Sequence, residues 1–155
     1  MHTEGQVTEL LARADAGDER AWSRLVDLVY PELKRLARSS LSGRNQHTLN
    51  TTALVHECYL RLSQANGAPR DRGHLMALAV RIMRQVLVDH ARSRLASKRG
   101  GGMSAVPIDD VPVVDEHRFE ILVEIDMALA RLTGTEPRLA RVFECRYFGG
   151  LNDED

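Results

Sequence analysis

The chain has 155 residues, of which 43% are hydrophobic and 28% charged, with a formal net charge of −1. That supply of apolar side chains suffices for one modest core, or for two small helical domains joined by a linker, without covalent staples. Its two cysteines, Cys58 and Cys145, lie far apart with no CxxC pair, the apolar stretches are broken by charges, and the N-terminus has no basic start before an apolar run. Those features exclude a disulfide framework, a membrane span and a secretory signal, and lead us to expect a soluble cytoplasmic protein.

In chain order, apolar residues recur at three and four rather than at two, so the expected fold class is all-α. A first helix is predicted from about Val7 to Ala14, ending at Ala16-Gly17-Asp18. A second follows Asp18 as N-cap and carries Trp22, Leu25, Val26 and Val29, with Pro31 expected to kink or restart it before Leu33, Leu36 and Leu41. Asn50, Thr51 or Thr52 caps a third helix reaching Leu62 or Ser63, with Leu54, Val55, Cys58 and Leu62 as its buried stripe. Leu60 falls on the opposite side with Ala53, His56, Glu57 and Gln64, which marks an apolar docking point among polar residues.

The fourth helix, from about Arg72 to Ser97, is the longest and stops at Gly100-Gly101-Gly102. Between Arg81 and Arg99 its bases are Arg81, Arg84, Arg92, Arg94, Lys98 and Arg99 against one acid, Asp89. On a helical wheel Arg81, Arg84, Gln85, Arg92 and Arg99 share roughly a third of the circumference, and Leu75, Ala79, Ile82, Met83, Val86 and Leu87 the rest. Such a basic ridge suits nucleic acid: guanidinium groups grip phosphates and stack on bases, and Gln85 can read a base edge.

Residues from Gly100 to Asp115 hold glycines, Pro107 and Pro112 and read as a linker. Beyond it, a fifth helix carries Phe119, Leu122, Val123, Ile125, Leu129 and Leu132, and Thr133-Gly134-Thr135 is expected to break the pattern before the next. A sixth starts at Pro137, runs through Val142, Phe143 and Tyr147, and stops at Gly149-Gly150; Leu151 to Asp155 reads as the start of another. The segment from Asp109 to Asp126 is strongly acidic, and the opposite charges predict that it competes with DNA for the basic ridge.

The run Thr51-Thr52-Ala53-Leu54-Val55-His56-Glu57-Cys58-Tyr59-Leu60-Arg61-Leu62, the run Met83-Arg84-Gln85-Val86-Leu87-Val88-Asp89-His90-Ala91-Arg92, and Lys98-Arg99-Gly100-Gly101 resemble one branch of the extracytoplasmic-function (ECF) sigma factors. Arg141-Val142-Phe143 and Arg146-Tyr147-Phe148-Gly149-Gly150-Leu151 resemble the opening of that family's second domain. The resemblance implies a helical bundle of sigma region 2 type over residues 1–99, a linker over 100–116, and over 117–155 an incomplete region 4, the helix-turn-helix domain. It also implies partners: the RNA polymerase core, through the clamp of the largest subunit, promoter DNA, and a regulator such as an anti-sigma factor. His56, Glu57, Tyr59 and Leu60 would bind polymerase. Arg81, Arg84, Gln85, Asp89, Arg92, Lys98 and Arg99 would face the minus-ten DNA, and the loop from Ala65 to Gly73 would receive a flipped base. Three departures stand out: Ala53 occupies a place where the motif commonly has Asp, Leu78 one where the family often has Trp, and the sequence stops before the recognition helix.

No enzyme reading survives. His56-Glu57 opens like an HExxH zinc helix, but Leu60 holds the place of the second histidine, and Gly100-Gly101-Gly102 lacks the phosphate-loop pattern. The remaining histidines show no ligand spacing with the cysteines, so no metal, cofactor or catalytic residue is expected. The alternative is a helical adaptor or decoy that binds protein alone, without promoter recognition.

Overall fold

Asp18 starts the second helix as its position suggests: its carboxylate accepts hydrogen bonds from the backbone N–H groups of Arg20 (3.0 Å) and Ala21 (3.2 Å). The same carboxylate holds Arg13 at 2.8 Å across the turn, where Gly17 takes a positive φ of 97°. That arginine, and then the Ala21 N–H, keep the Asp18 carboxyl below its ordinary pKa. Asn50 does the same for the third helix, accepting from Ala53 N at 2.8 Å. The computed structural model describes residues 2–42, 49–65, 67–100 and 116–154, and the side chains of all of them but 2, 98–100 and 116. They form α1 (His2–Asp15), α2 (Glu19–Leu41), α3 (Thr51–Gln64), α4 (Arg72–Gly100), α5 (Glu116–Thr135) and α6 (Pro137–Tyr147), with no strand among the described residues.

Pro31 neither ends nor restarts α2, which runs unbroken from Glu19 to Leu41. Asp27, whose carbonyl loses its partner to the proline, and Pro31 itself are both exposed, so water can satisfy the freed group. On the opposite side Leu25, Val29, Leu33, Leu36 and Ala37 are buried on both flanks of the proline, and this stripe holds the helix in one piece.

The core gathers around α4, which touches every other helix. Leu75, Met76, Ala79, Val80, Ile82, Met83, Val86, Leu87, Val88 and Ala91 are all buried, so its apolar surface is wider than the base of a ridge and wraps most of the circumference. Small residues let α3 come close: the Cys58 thiol points at the Ala79 carbonyl at 3.8 Å, and burial pushes that thiol up to about 12. At its N-terminal end α4 is tied to α2 by the fork of Arg72 on the Glu32 carboxylate, with Arg72 Nε 3.1 Å from each oxygen.

α5 and α6 pack against α4, as expected of a helix pair with an incompletely covered apolar face. Phe119, Leu122, Leu129 and Ala140 are buried there. α5 ends at Thr135, the last residue of the triad expected to break the pattern, and α6 starts at Pro137; the hydroxyls of Thr133 and Thr135 donate back to the carbonyls of Leu129 (2.8 Å) and Leu132 (3.3 Å) in that last turn. The end of α6 is anchored by Phe148, which is fully buried, while Ser40 Oγ of α2 donates to the Phe148 carbonyl at 3.0 Å. The N–H groups of Gly150 and Leu151 return to the carbonyls of Arg146 and Cys145. A Cβ on Gly149 would lie 2.7 Å from both the Cys145 carbonyl and Val80 Cγ2, so only glycine fits that approach. Residues 151 and 152 have no regular structure and 153 and 154 form a turn. Of the predicted linker from Gly100 to Asp115, Gly100 is the last residue of α4 and 101–115 lie outside the described residues.

Truncating the anchor should loosen the α6 end: Phe148→Ala is expected to cost about 3–5 kcal/mol, read as a lower urea midpoint, with Gly149→Ala shifting it in the same direction.

Candidate nucleic-acid interface and docking face

The side of α4 that carries the predicted basic ridge divides into a closed part and an open part. Arg84 is closed. Its side chain is only 14% exposed, with Nε 2.6 Å from Glu144 of α6 and Nη1 hydrogen-bonded to Asp126 of α5. Glu144 and Asp126 are themselves 7% and 18% exposed. Arg92, about two turns along, places Nη2 3.1 Å from the second Asp126 oxygen, and Arg81 has Nε 3.6 Å from the second Glu144 oxygen. Both of these arginines keep about half their surface in water. Two carboxylates from two helices are thus shared among three arginines, in a setting where little solvent screens them.

Gln85 and Asp89 form the open part. Asp89 accepts from Arg61 of α3 at 3.3 Å, and Arg61 also reaches Glu57 on its own helix at 3.3 Å. The arginine therefore links a residue of the predicted polymerase-binding set to one of the predicted DNA-facing set. Lys98 and Arg99 lie where side chains are not described.

On α3, Leu54, Val55, Cys58 and Leu62 are buried, and Leu60 stands 38% exposed beside exposed Ala53, His56 and Gln64. Glu57 is half-buried by its contact with Arg61. Tyr59 is not a free aromatic: it stacks on Trp22 of α2, ring centroids 6.1 Å apart, which fixes the angle between the two helices. Next to it, Val26, Tyr30, Val55 and His56 line an open groove between α2 and α3. Leu78, in the place where a tryptophan is common, is half-buried against the core.

The four residues of the predicted docking face are thus brought together, whereas the predicted DNA-facing set is not uniformly presented. Arg84 is withdrawn under α5 and α6, where the carboxylates of Asp126 and Glu144 take the place of its water. The acidic segment also behaves differently from its composition. Only Asp126 of that segment meets the ridge among the described residues, Glu120 and Glu124 face away, and residues 109–115 lie outside them. Glu144 was missed because it sits among arginines in a helix of mixed charge, and its only sequence signal was position: with Ala140 and Phe148 it forms a spacing-of-four stripe, one acid on the buried face. Arg61 was missed for a related reason, since its bridge to Asp89 joins two helices.

Among the described residues, no group of three or more His, Cys, Asp or Glu is placed to hold a metal ion, and no helix is long and apolar enough to cross a membrane. A family model described as ECF sigma factor matches residues 4–155. Neither curated proteins nor solved structures gave a match.

Removing the shared cation leaves two carboxylates in a poorly hydrated place. Arg84→Ala should therefore cost about 3 kcal/mol or more in urea unfolding, well beyond Arg92→Ala, whose side chain is half in water.

Proposed function

This chain belongs to the ECF sigma factor family, and from that premise we propose that it binds the RNA polymerase core through α3 and directs promoter recognition and melting through α4. The observation that carries the reading is the match of the family model to almost the whole chain, and the adjacency of an exposed α3 face to the polar side of α4 supports it. In this reading residues 1–99 form sigma region 2, 100–116 a linker and 117–155 an incomplete region 4. The protein's contribution is positional and electrostatic. His56, Glu57 and Leu60 meet the polymerase clamp, with Tyr59 braced by Trp22 behind them. An apolar anchor ringed by polar residues concentrates binding energy at few positions.

On the DNA side, Arg81, Arg84 and Arg92 hold phosphates of the minus-ten strand, with Lys98 and Arg99 extending the track, while Gln85 and Asp89 lie at base-edge height. Guanidinium groups suit a melted strand, since they pair with phosphate and stack on an unpaired base. The stretch from Ala65 to Gly73, whose last two residues already belong to α4, receives the flipped base; in its described part Pro69 is buried and Arg70 N donates to His74 Nδ1 at 3.1 Å. All this chemistry is binding and strand separation, with bond making left to the polymerase.

A second reading, a protein-binding adaptor or decoy without promoter recognition, is favoured by one observation: Arg84 is enclosed by carboxylates. The two readings separate in the test tube. His56→Ala with Leu60→Ala is expected to weaken capture of polymerase core by at least about tenfold with helical content unchanged, and full capture by the double variant would refute the assignment of that face. Arg81→Ala with Arg92→Ala, which spares the buried Arg84, should reduce permanganate reactivity of the minus-ten region and flatten the salt dependence of DNA binding by about two counterions. Normal reactivity in that variant would refute the assignment of Arg81 and Arg92 to DNA, whereas no reactivity with the unaltered chain on polymerase core would leave the adaptor.

A further inference from the structure

We infer that Arg61 is a positioning residue: it holds Asp89 with one carboxylate oxygen engaged and the other free, so that Asp89 selects cytosine through its exocyclic amino group. This rests on the DNA-facing assignment of α4 proposed above.

Asp89 is the one acid in the sequence of α4, and it stands exposed four residues from exposed Gln85, on the same face of the helix. Left bare, a carboxylate there would repel the phosphates that the arginines of the same helix attract. Its charge is not bare. Arg61 of α3 places Nη2 3.3 Å from Asp89 Oδ2, while Oδ1 accepts no hydrogen bond among the described residues. The pairing compensates the charge at one oxygen and leaves an acceptor at the other.

That acceptor suits one kind of base edge. An ionised carboxylate has no hydrogen to give, so on the major-groove edge it can take hydrogen bonds from the amino groups of cytosine and adenine but not from guanine or thymine, which present acceptors there. Adenine also sets its N7 acceptor beside the amino group, where it repels the carboxylate, whereas cytosine has only a C–H in that place. Gln85, with both a donor and an acceptor, is free of this restriction.

The direction of Asp89 is set from α3. Arg61 also has Nε 3.3 Å from Glu57, one turn back on its own helix, and its side chain is 33% exposed against 58% for Asp89. The more enclosed, twice-held partner therefore fixes the freer one. A pair this exposed contributes little to the stability of the fold. Its loss should accordingly be felt in base choice and scarcely in folding.

The test uses the whole chain on polymerase core with a pool of DNA fragments of random sequence, from which the retained fragments are sequenced. The unaltered chain should favour cytosine at one position by roughly fivefold or more, the scale of a specific base contact. Arg61→Ala and Asp89→Asn should each bring that preference below about twofold at that position alone, and the double variant should go no further, because both act through one contact. Arg61→Gln, which keeps much of the stem without the charge, should do the same and decides the matter if Arg61→Ala does not fold. Arg13→Ala, which breaks an exposed pair with Asp18 at the turn between α1 and α2, should leave base choice unaltered. Capture of core and helical content, measured in parallel, report folding. A cytosine preference that survives the loss of Arg61 in a folded, core-binding chain overturns the positioning role, and so does a loss spread evenly over all positions. Sequences enriched without a cytosine position that depends on Asp89 overturn its part as reader. An unaltered chain that captures core yet enriches no sequence overturns the DNA-facing reading beneath both.

Discussion

A single guanidinium, that of Arg84, sits where three helices meet, and the arrangement of the C-terminal half of the molecule depends on its charge being compensated. With two carboxylates within reach and little water, the group is stable; with neither, it would hold an unpaired cation between helices. A buried ion cluster of this kind contributes less net stability than its short contacts suggest, because three charged groups have left water. Phe119, Leu122, Leu129 and Ala140 are buried where α5 and α6 pack on α4, and the cluster adds two acids that face the same way.

The same helix therefore serves two ends. As a structural axis, α4 supplies buried apolar residues around most of its girth to every other helix. Between those residues it retains a narrow polar strip, proposed above to meet DNA, with Arg81, Arg84 and Arg92 on the side toward α5 and α6 and Asp89 on the side toward α3. Arg61 joins that strip to the docking face through Glu57 and Asp89, so a partner seated on α3 and one seated on α4 would meet at a common arginine. These are partly exposed pairs and contribute little energy individually, which makes them easy to exchange for contacts with a partner.

Local chemistry was legible in the sequence. Asp18 and Asn50 cap their helices through side-chain oxygens, the α3 stripe is the one its spacing indicates, and Leu60 is exposed as its wheel position requires. One local signal was outweighed by tertiary packing: Pro31 does not restart a helix, because it lies on the outer face of one held by its inner face. The candidate interface was half legible. Charge segregation shows that acids and arginines will meet, but Glu144 and Arg84 are 60 positions apart, and no spacing along one strand of sequence reveals which acid reaches which base. The family match accounts for both the bundle and the helix pair, while the closure of one upon the other is a property of the packed chain.

Arg84 cannot hold a phosphate and the two carboxylates at once, and exchange of backbone amide hydrogens tests that most directly. When single-stranded DNA is bound, alone or with polymerase core, the amides of α5 and α6 should lose protection while those of α4 from Arg81 to Arg92 keep or gain it. Protection of α5 and α6 that is unchanged with DNA demonstrably bound would show that nucleic acid and the two carboxylates do not compete for Arg84.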